Sequence, residues 1–452
     1  MTIDMIVWAA GSAILGGLIF SFMGLISGTD ETATIAPLTL LIILLGFPPV
    51  GIYSFFIAAA VSKHMTHAIP TALMGVPGDT MAVPLLENAN ILRRLGVPHV
   101  ALRKMISGAI IGAMIALPVS VGFATLIAPF GSIAKAWAGP IFVVAAIIIA
   151  YTSKGKWASI LVLLPFAMFM QGMIKMASAA HFTISICIFL GIAIGPMFAD
   201  LVTLLSPKTR NGLIVQKPRE FWLAPELKGW KGWLPNPFKI LTHKQLAYSS
   251  VASFISGLTF TFSPVGMTVM AGEAVSTKTS GLYQKLTGSL AVMNATTEAT
   301  YMGEAMIPLI AFGLPLSPMA VGPAAPLYNA PPVFTTVPLH NLHHVMTTGQ
   351  FFICGLIGVF VAFIVAYPFA MNYARRASMW VLKYISQEAI ISMFIGLIAV
   401  ISFYEAGIIG IAIASTIAVF GGILNKYFGI HTGVQFMTFY ASGWAILQLF
   451  GF

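Results

Sequence analysis

Apolar runs about as long as a membrane-spanning helix, roughly 20 residues, alternate with short polar stretches along nearly the whole chain. Runs over residues 6–27, 36–61, 105–130, 136–152, 157–175, 180–204, 246–270, 347–372, 388–403, 405–423 and 430–450 predict eleven spanning helices. Two further apolar stretches, 69–86 and 306–332, are cut repeatedly by proline and glycine. Proline removes a backbone donor and clashes with the preceding turn, so neither stretch predicts a straight span. Each predicts a re-entrant hairpin, since non-helical backbone survives at membrane depth only where protein or a water-filled cavity covers it. The pattern as a whole predicts an all-α integral membrane protein.

The two broken stretches resemble each other. Gly75-Val76-Pro77-Gly78-Asp79-Thr80-Met81-Ala82-Val83 is echoed by Gly313-Leu314-Pro315-Leu316-Ser317-Pro318-Met319-Ala320-Val321, 238 positions later. Gly28 after Phe22–Ser27 and Gly266 after Phe260–Val265 share that offset. The spacing predicts two related membrane repeats, residues 1–205 and 246–452, joined by a linker at 206–245. Paired interrupted segments in two halves are the pattern of a secondary transporter, whose substrate and ions bind where helices stop inside the membrane.

Composition agrees: 58% of residues are hydrophobic and 8% charged, against about 25% charged in soluble domains. Asp4 precedes the first run and no cleavage site follows it, so that run reads as a retained helix rather than a signal peptide. The net charge of +10 does not point to nucleic acid, because eight of the 23 Lys and Arg lie between Lys208 and Lys244. Such a basic block between apolar blocks is a cytoplasmic loop under the positive-inside rule, and Trp222, Trp230 and Trp233 within it read as interfacial. With this linker and the loops carrying Arg93 and Arg375 on one side, the first hairpin enters from the cytoplasm and the second from outside. That makes the repeats inverted. Cys187 and Cys354 lie in apolar runs and imply neither a disulfide framework nor a zinc site.

Ionisable residues at membrane depth are costly and mark function. Asp30, Asp79, Glu298 and Glu304 are the candidates for ion coupling. Asp79, following Pro77-Gly78, also reads as the N-cap of a helix starting near Met81. Asp30 or Glu31 reads either as the cap of the next helix or as part of a site. Gly28, Thr29, Pro77, Gly78, Asp79, Thr80, Pro315 and Ser317 are the substrate-binding candidates, since broken segments release backbone groups and add hydroxyls. Carbonyl, hydroxyl and carboxylate oxygens suit Na+; a proton would need a titrating carboxylate such as Glu298 or Glu304. Lys63 and Lys278, the basic residues nearest these segments, read as interfacial. His340, His343 and His344 read as an external loop more readily than as a metal site. No enzyme motif of the G-x-S-x-G, Walker A, C-x-x-C or H-E-x-x-H type is present, and no cofactor is expected.

At these segments the chain resembles the large membrane subunit of the tripartite tricarboxylate transporters, the TctA-like permeases. Gly75-Val76-Pro77-Gly78 with Ala82, Glu298-Ala299 followed by Ile307 to Pro315, and Leu95-Gly96-Val97-Pro98-His99-Val100-Ala101-Leu102-Arg103-Lys104 bear the likeness. It departs at Ser27–Glu31, at Leu316 where the first hairpin has Gly78, and at Thr300-Tyr301 in place of an asparagine pair. The resemblance implies uptake of di- or tricarboxylates across the inner membrane, cation coupling, a small membrane subunit and an extracytoplasmic binding protein. Asp30, Glu31 and Glu304 add negative charge near a carboxylate site. They keep open a stand-alone transporter of another anion (a sulfonate, an amino acid or a lipid-linked anion) and, further off, an intramembrane enzyme or channel.

Overall fold

The computed structural model describes the chain apart from residues 1, 28, 153–155, 183, 185, 206, 208–222, 226–229, 231, 261–263, 337, 386, 431 and 451–452. Gly28, Trp222 and residues 261–263 therefore lie outside the described residues. The described chain is helical almost throughout; its one strand pair joins Thr335–Thr336 to Leu339–His340. The first half contains α1 (Ile3–Met23), α2 (Glu31–Leu44), α3 (Pro49–Thr66), α4 (Leu86–Arg94), α5 (Pro98–Ile127), α6 (Ala138–Thr152), α7 (Trp157–Ala179) and α8 (Ile186–Leu205). The second contains α9 (His243–Gly257), α10 (Pro264–Lys278), α11 (Leu282–Phe312), α12 (Thr348–Tyr384), α13 (Gln387–Phe428) and α14 (Thr432–Phe450).

Three boundaries differ from the hydropathy reading. The expected span 36–61 is two helices, α2 and α3, parted at Gly46 (φ 80°) and Pro48-Pro49. Adjacent prolines lack donors and push the preceding residue out of helical geometry, while glycine accepts the positive φ. The expected span 246–270 likewise becomes α9 and α10, with Pro264 opening α10. The second hairpin does not begin at 306: the helix α11 runs through Glu298, Glu304 and Pro308 to Phe312 before the chain breaks at Gly313. The break between 403 and 405 has a counterpart at Ala406-Gly407, where α13 leaves helical geometry. The Glu405 carboxylate there accepts from the amides of Ile186 (2.8 Å) and Cys187 (2.6 Å), capping the first turn of α8.

Helix contacts come in matching pairs. α1 packs on α3 as α9 packs on α11; α3 packs on α12 as α11 packs on α5; α1 packs on α12 as α9 packs on α5. The crossing of α5 with α11 is close because Gly108 and Gly112, one turn apart, meet the backbone at Ala291 and Ala295. Small residues let helices approach where no hydrophobic effect drives them together. A second group forms where α13 packs on α8 and α14 on α6 and α7; α2 touches both groups. Among the described residues five helices are long and apolar enough to cross a membrane: Ile3–Met23, Pro98–Ile133, Trp157–Ala179, Thr348–Tyr384 and Ser392–Phe428. This is a multi-pass membrane protein.

The described parts of the linker lie on the polar ends of α5 and α12. Arg103 stacks on Trp230 (4.5 Å), Lys104 donates to Gln245 (2.8 Å), and Arg375 donates to the Leu223 carbonyl (3.2 Å). These contacts bring three basic segments to one face.

Candidate functional site

The two broken segments form the same turn. Pro70 and Pro308, again 238 apart, each accept at their carbonyl from a left-handed glycine, Gly75 (φ 76°) and Gly313 (φ 65°), at 3.0 Å. After each turn a side chain caps a short helix. Asp79 Oδ1 accepts from the Ala82 amide at 3.0 Å, and Ser317 Oγ from the Ala320 amide at 3.1 Å. Gly78 is needed for contact rather than for φ: a Cβ there would lie 2.6 Å from the His67 carbonyl oxygen.

Between the turns, α3 and α11 build a buried polar cluster. Lys63 and His64 lie in the last turn of α3 and His67, one turn beyond Lys63, follows its C-terminus; Asn294, Glu298 and Tyr301 share a face of α11. The Lys63 ammonium donates to the Thr29 carbonyl and lies 3.5 Å from Glu31 and 3.7 Å from Asp79. His67 Nδ1 is 2.9 Å from Asp79 Oδ2, and its Nε2 is 3.0 Å from Asn294 Oδ1. The Asn294 amide nitrogen donates to the Met105 carbonyl at 3.0 Å, which fixes the orientation of that side chain. His64 Nδ1 is 3.0 Å from Glu298 and its Nε2 is 3.8 Å from Glu31; the Tyr301 ring meets the His64 ring edge-on at 4.4 Å. Lys63, His64, His67, Glu298, Asp79 and Glu31 are all at most 4% exposed. Buried charges at such density persist only when paired. The cluster is therefore one electrostatic unit, built from α2, α3, the first hairpin and α11.

The protein-family model described as "Tripartite tricarboxylate transporter TctA family" matches residues 11–432. The chain belongs to the TctA family. Comparisons with curated proteins and with solved structures returned no match.

Within this TctA-family chain, two of the four expected acids, Asp79 and Glu298, enter the cluster, joined through His67 and His64 of α3. Asp30 and Glu304 do not. Asp30 caps α2 at the Thr32 amide (2.9 Å) and accepts from Thr80 (3.3 Å). Glu304 accepts from the Met319 amide (3.2 Å) at the second turn, where Ser317 also donates to the Glu304 carbonyl (2.6 Å). The Thr29 hydroxyl is spent on the Met23 and Ile26 carbonyls, leaving its own carbonyl for Lys63. Pro77 accepts from Ser27 (2.6 Å), which ties the first turn to the loop after α1. Lys63, read from the sequence as interfacial, is fully buried at the centre of the cluster.

Lys63, His64, His67, Asn294 and Tyr301 were not among the expected site residues; Glu31, read either as a cap or as part of a site, stands in the cluster. The available signal was Lys63-His64-x-x-His67 directly after an apolar run, three titratable groups on one helix end. Glu31, His67 and Asp79 place side-chain ligand atoms within 4.8 Å of one another. The Lys63 ammonium already stands against two of those three as their cation. His343 Nδ1 lies 3.1 Å from the Ile310 carbonyl, while Asn341 donates to the Gly313 carbonyl (2.7 Å), bracing the second turn. Beside that turn a cleft of about 370 Å³ is lined by Pro315, Gln171, Asn329, Asn341, Tyr328 and Tyr440, among others.

Proposed function

We propose that the chain is the permease of a cation-coupled secondary transporter for small organic anions, di- and tricarboxylates foremost, working by alternating access. The observation behind this reading is the pair of matched turns, 238 residues apart, with a charged cluster bridging α3 and α11 between them. Turns that stop a helix at depth leave amides and carbonyls for substrate and ion. The turns also differ in exposure: Val76 is 40% exposed and Leu314 9%.

The matching helix contacts support two inverted repeats, residues 1–205 and 246–452, joined by a cytoplasmic linker, with eleven spans and two hairpins entering from opposite faces. Family membership supports a small membrane subunit, an extracytoplasmic binding protein and an inner-membrane location. It also favours transport over catalysis. The substrate would meet Pro77 to Thr80 on one side and Pro315 and Ser317 on the other, and a sodium or proton gradient would drive it. A second reading, another anion taken up without partners, is favoured by the cleft at Pro315, whose described lining carries no charged side chain.

The test is uptake of labelled carboxylates, sulfonates and amino acids by the reconstituted chain under an imposed sodium or proton gradient. Gradient-driven carboxylate accumulation, alone or once the small subunit and binding protein are added, is the expected result. No carboxylate uptake in any arrangement would refute it.

A further inference from the structure

The charge count of the buried cluster is informative. Three carboxylates, Glu31, Asp79 and Glu298, face three bases, Lys63, His64 and His67, all within one buried unit. The unit is electrically neutral when each base carries its proton. The hydrogen bonds fit that state. Because Asn294 Nδ2 donates to Met105, its Oδ1 faces His67 Nε2, which must therefore bear a hydrogen. The other ring nitrogen of His67 faces the Asp79 carboxylate, so one further proton lies between them. His64 Nδ1 faces the Glu298 carboxylate at 3.0 Å, while its Nε2, 3.8 Å from Glu31, makes no hydrogen bond. The remaining neighbours from each packed element are uncharged or lie outside the unit. Tyr301 of α11 meets the His64 ring, the Thr29 carbonyl follows α1, and Asp30, a partly buried carboxylate next to Glu31 at the edge of the unit, accepts from Thr80 and the Thr32 amide.

Position 63 has its repeat partner at Tyr301, and Asp79 has Ser317; the second repeat places neutral groups where the first places charge. The oxygens that would suit sodium in the first repeat, the Thr29 carbonyl and the Glu31 and Asp79 carboxylates, already surround an ammonium. Sodium at those oxygens would have to displace the Lys63 ammonium. A proton leaving the His67–Asp79 pair leaves one negative charge, which a proton arriving from the other side neutralises.

Resting on the transport reading above, we infer that the coupling ion is the proton and that the His67–Asp79 pair, held by Lys63 and Asn294, carries it. The proton is lost to the side on which the first turn is open and regained from the opposite side in the other state. Water on each side accepts and supplies it.

The test uses the purified permease, with any subunit that co-purifies from native membranes, in vesicles loaded with a pH-sensitive dye. Citrate and succinate are added outside in sodium-free choline medium, and again in sodium medium with labelled sodium. The expected result is internal acidification with substrate entry, equal in both media, and no labelled sodium uptake. In His67→Gln, acidification accompanying substrate falls to background. Sodium-dependent uptake with labelled sodium entering overturns the inference while leaving the transport reading intact. Unchanged acidification in His67→Gln overturns the assignment of the pair. Entry of neither citrate nor succinate under any gradient overturns both. The ion-replacement arm uses the wild-type chain, so it decides the coupling ion even if the variant does not fold.

Discussion

Replacing Lys63 by methionine removes the one ammonium that faces both Glu31 and Asp79, at 3.5 and 3.7 Å. At the effective dielectric of protein sites each contact is worth about 4–5 kcal/mol of gross attraction. Desolvation of the three groups offsets much of that. The net cost follows from what is left behind, and stranding a buried charge by removing its partner costs about 3–5 kcal/mol. The loss should be partly reversed in Lys63→Met/Glu31→Gln, because one acid and one base leave together and the unit stays balanced. The expected coupling energy between the two changes is about 1–3 kcal/mol, in the range for residues in direct contact. The two cysteines, both buried, give the readout: a thiol-reactive fluorophore reports unfolding during a denaturing-detergent titration as Cys187 and Cys354 become accessible. Lys63→Met should unfold markedly earlier than wild type, with the double variant between them. A Lys63→Met midpoint equal to wild type, or a double variant whose loss is the plain sum of the two singles, would refute the picture of one balanced unit.

Three further changes test the frame around the cluster. Gly78→Ala sets a methyl 2.6 Å from the His67 carbonyl and 2.7 Å from its Cβ, with backbone on both sides of the clash; uptake should be lost while the chain still inserts, measured by vesicle uptake beside expression level. Ser317→Ala removes the cap at Ala320 and the bond to the Glu304 carbonyl. A lost cap costs about 1 kcal/mol, so the denaturant midpoint should fall modestly, and far less than in Lys63→Met. Gly112→Leu drives a side chain into the Ala295 carbonyl, 2.5 Å from the first added carbon, where α5 crosses α11. Overpacking typically costs about 1–3 kcal/mol, so the same titration should show reduced stability and vesicle uptake should be lost.

Much of the local architecture was legible because its causes are local. Glycine at 75 and 313 adopts a positive φ that other residues resist, and proline at 70 and 308 sits one turn before it in both copies. Asp79 was recognisable as a cap from its place after Pro77-Gly78, and the structure has it capping Ala82. Hydropathy misjudged 36–61 because an apolar run does not record a change of direction; Pro48 and Pro49 do, and they weigh little in an average. It also read no span before the second hairpin and began that hairpin at 306, whereas α11 covers Leu282–Phe312, since a proline within a long buried helix can be accommodated by its neighbours.

The sequence by itself determined that this is a multi-pass helical membrane protein, that two broken turns recur 238 residues apart, and that Asp79 stands at the first. Each follows from the length of apolar runs and the backbone chemistry of glycine and proline, which need no partner. Only the tertiary structure decided which titratable groups meet. Lys63 at the end of an apolar run looks like a residue reaching for the membrane surface, until α11, more than 200 residues later, brings Glu298 and Asn294 against the same turn of α3. Electrostatic pairing at membrane depth depends on distance in space, and a single chain position carries no record of what will face it.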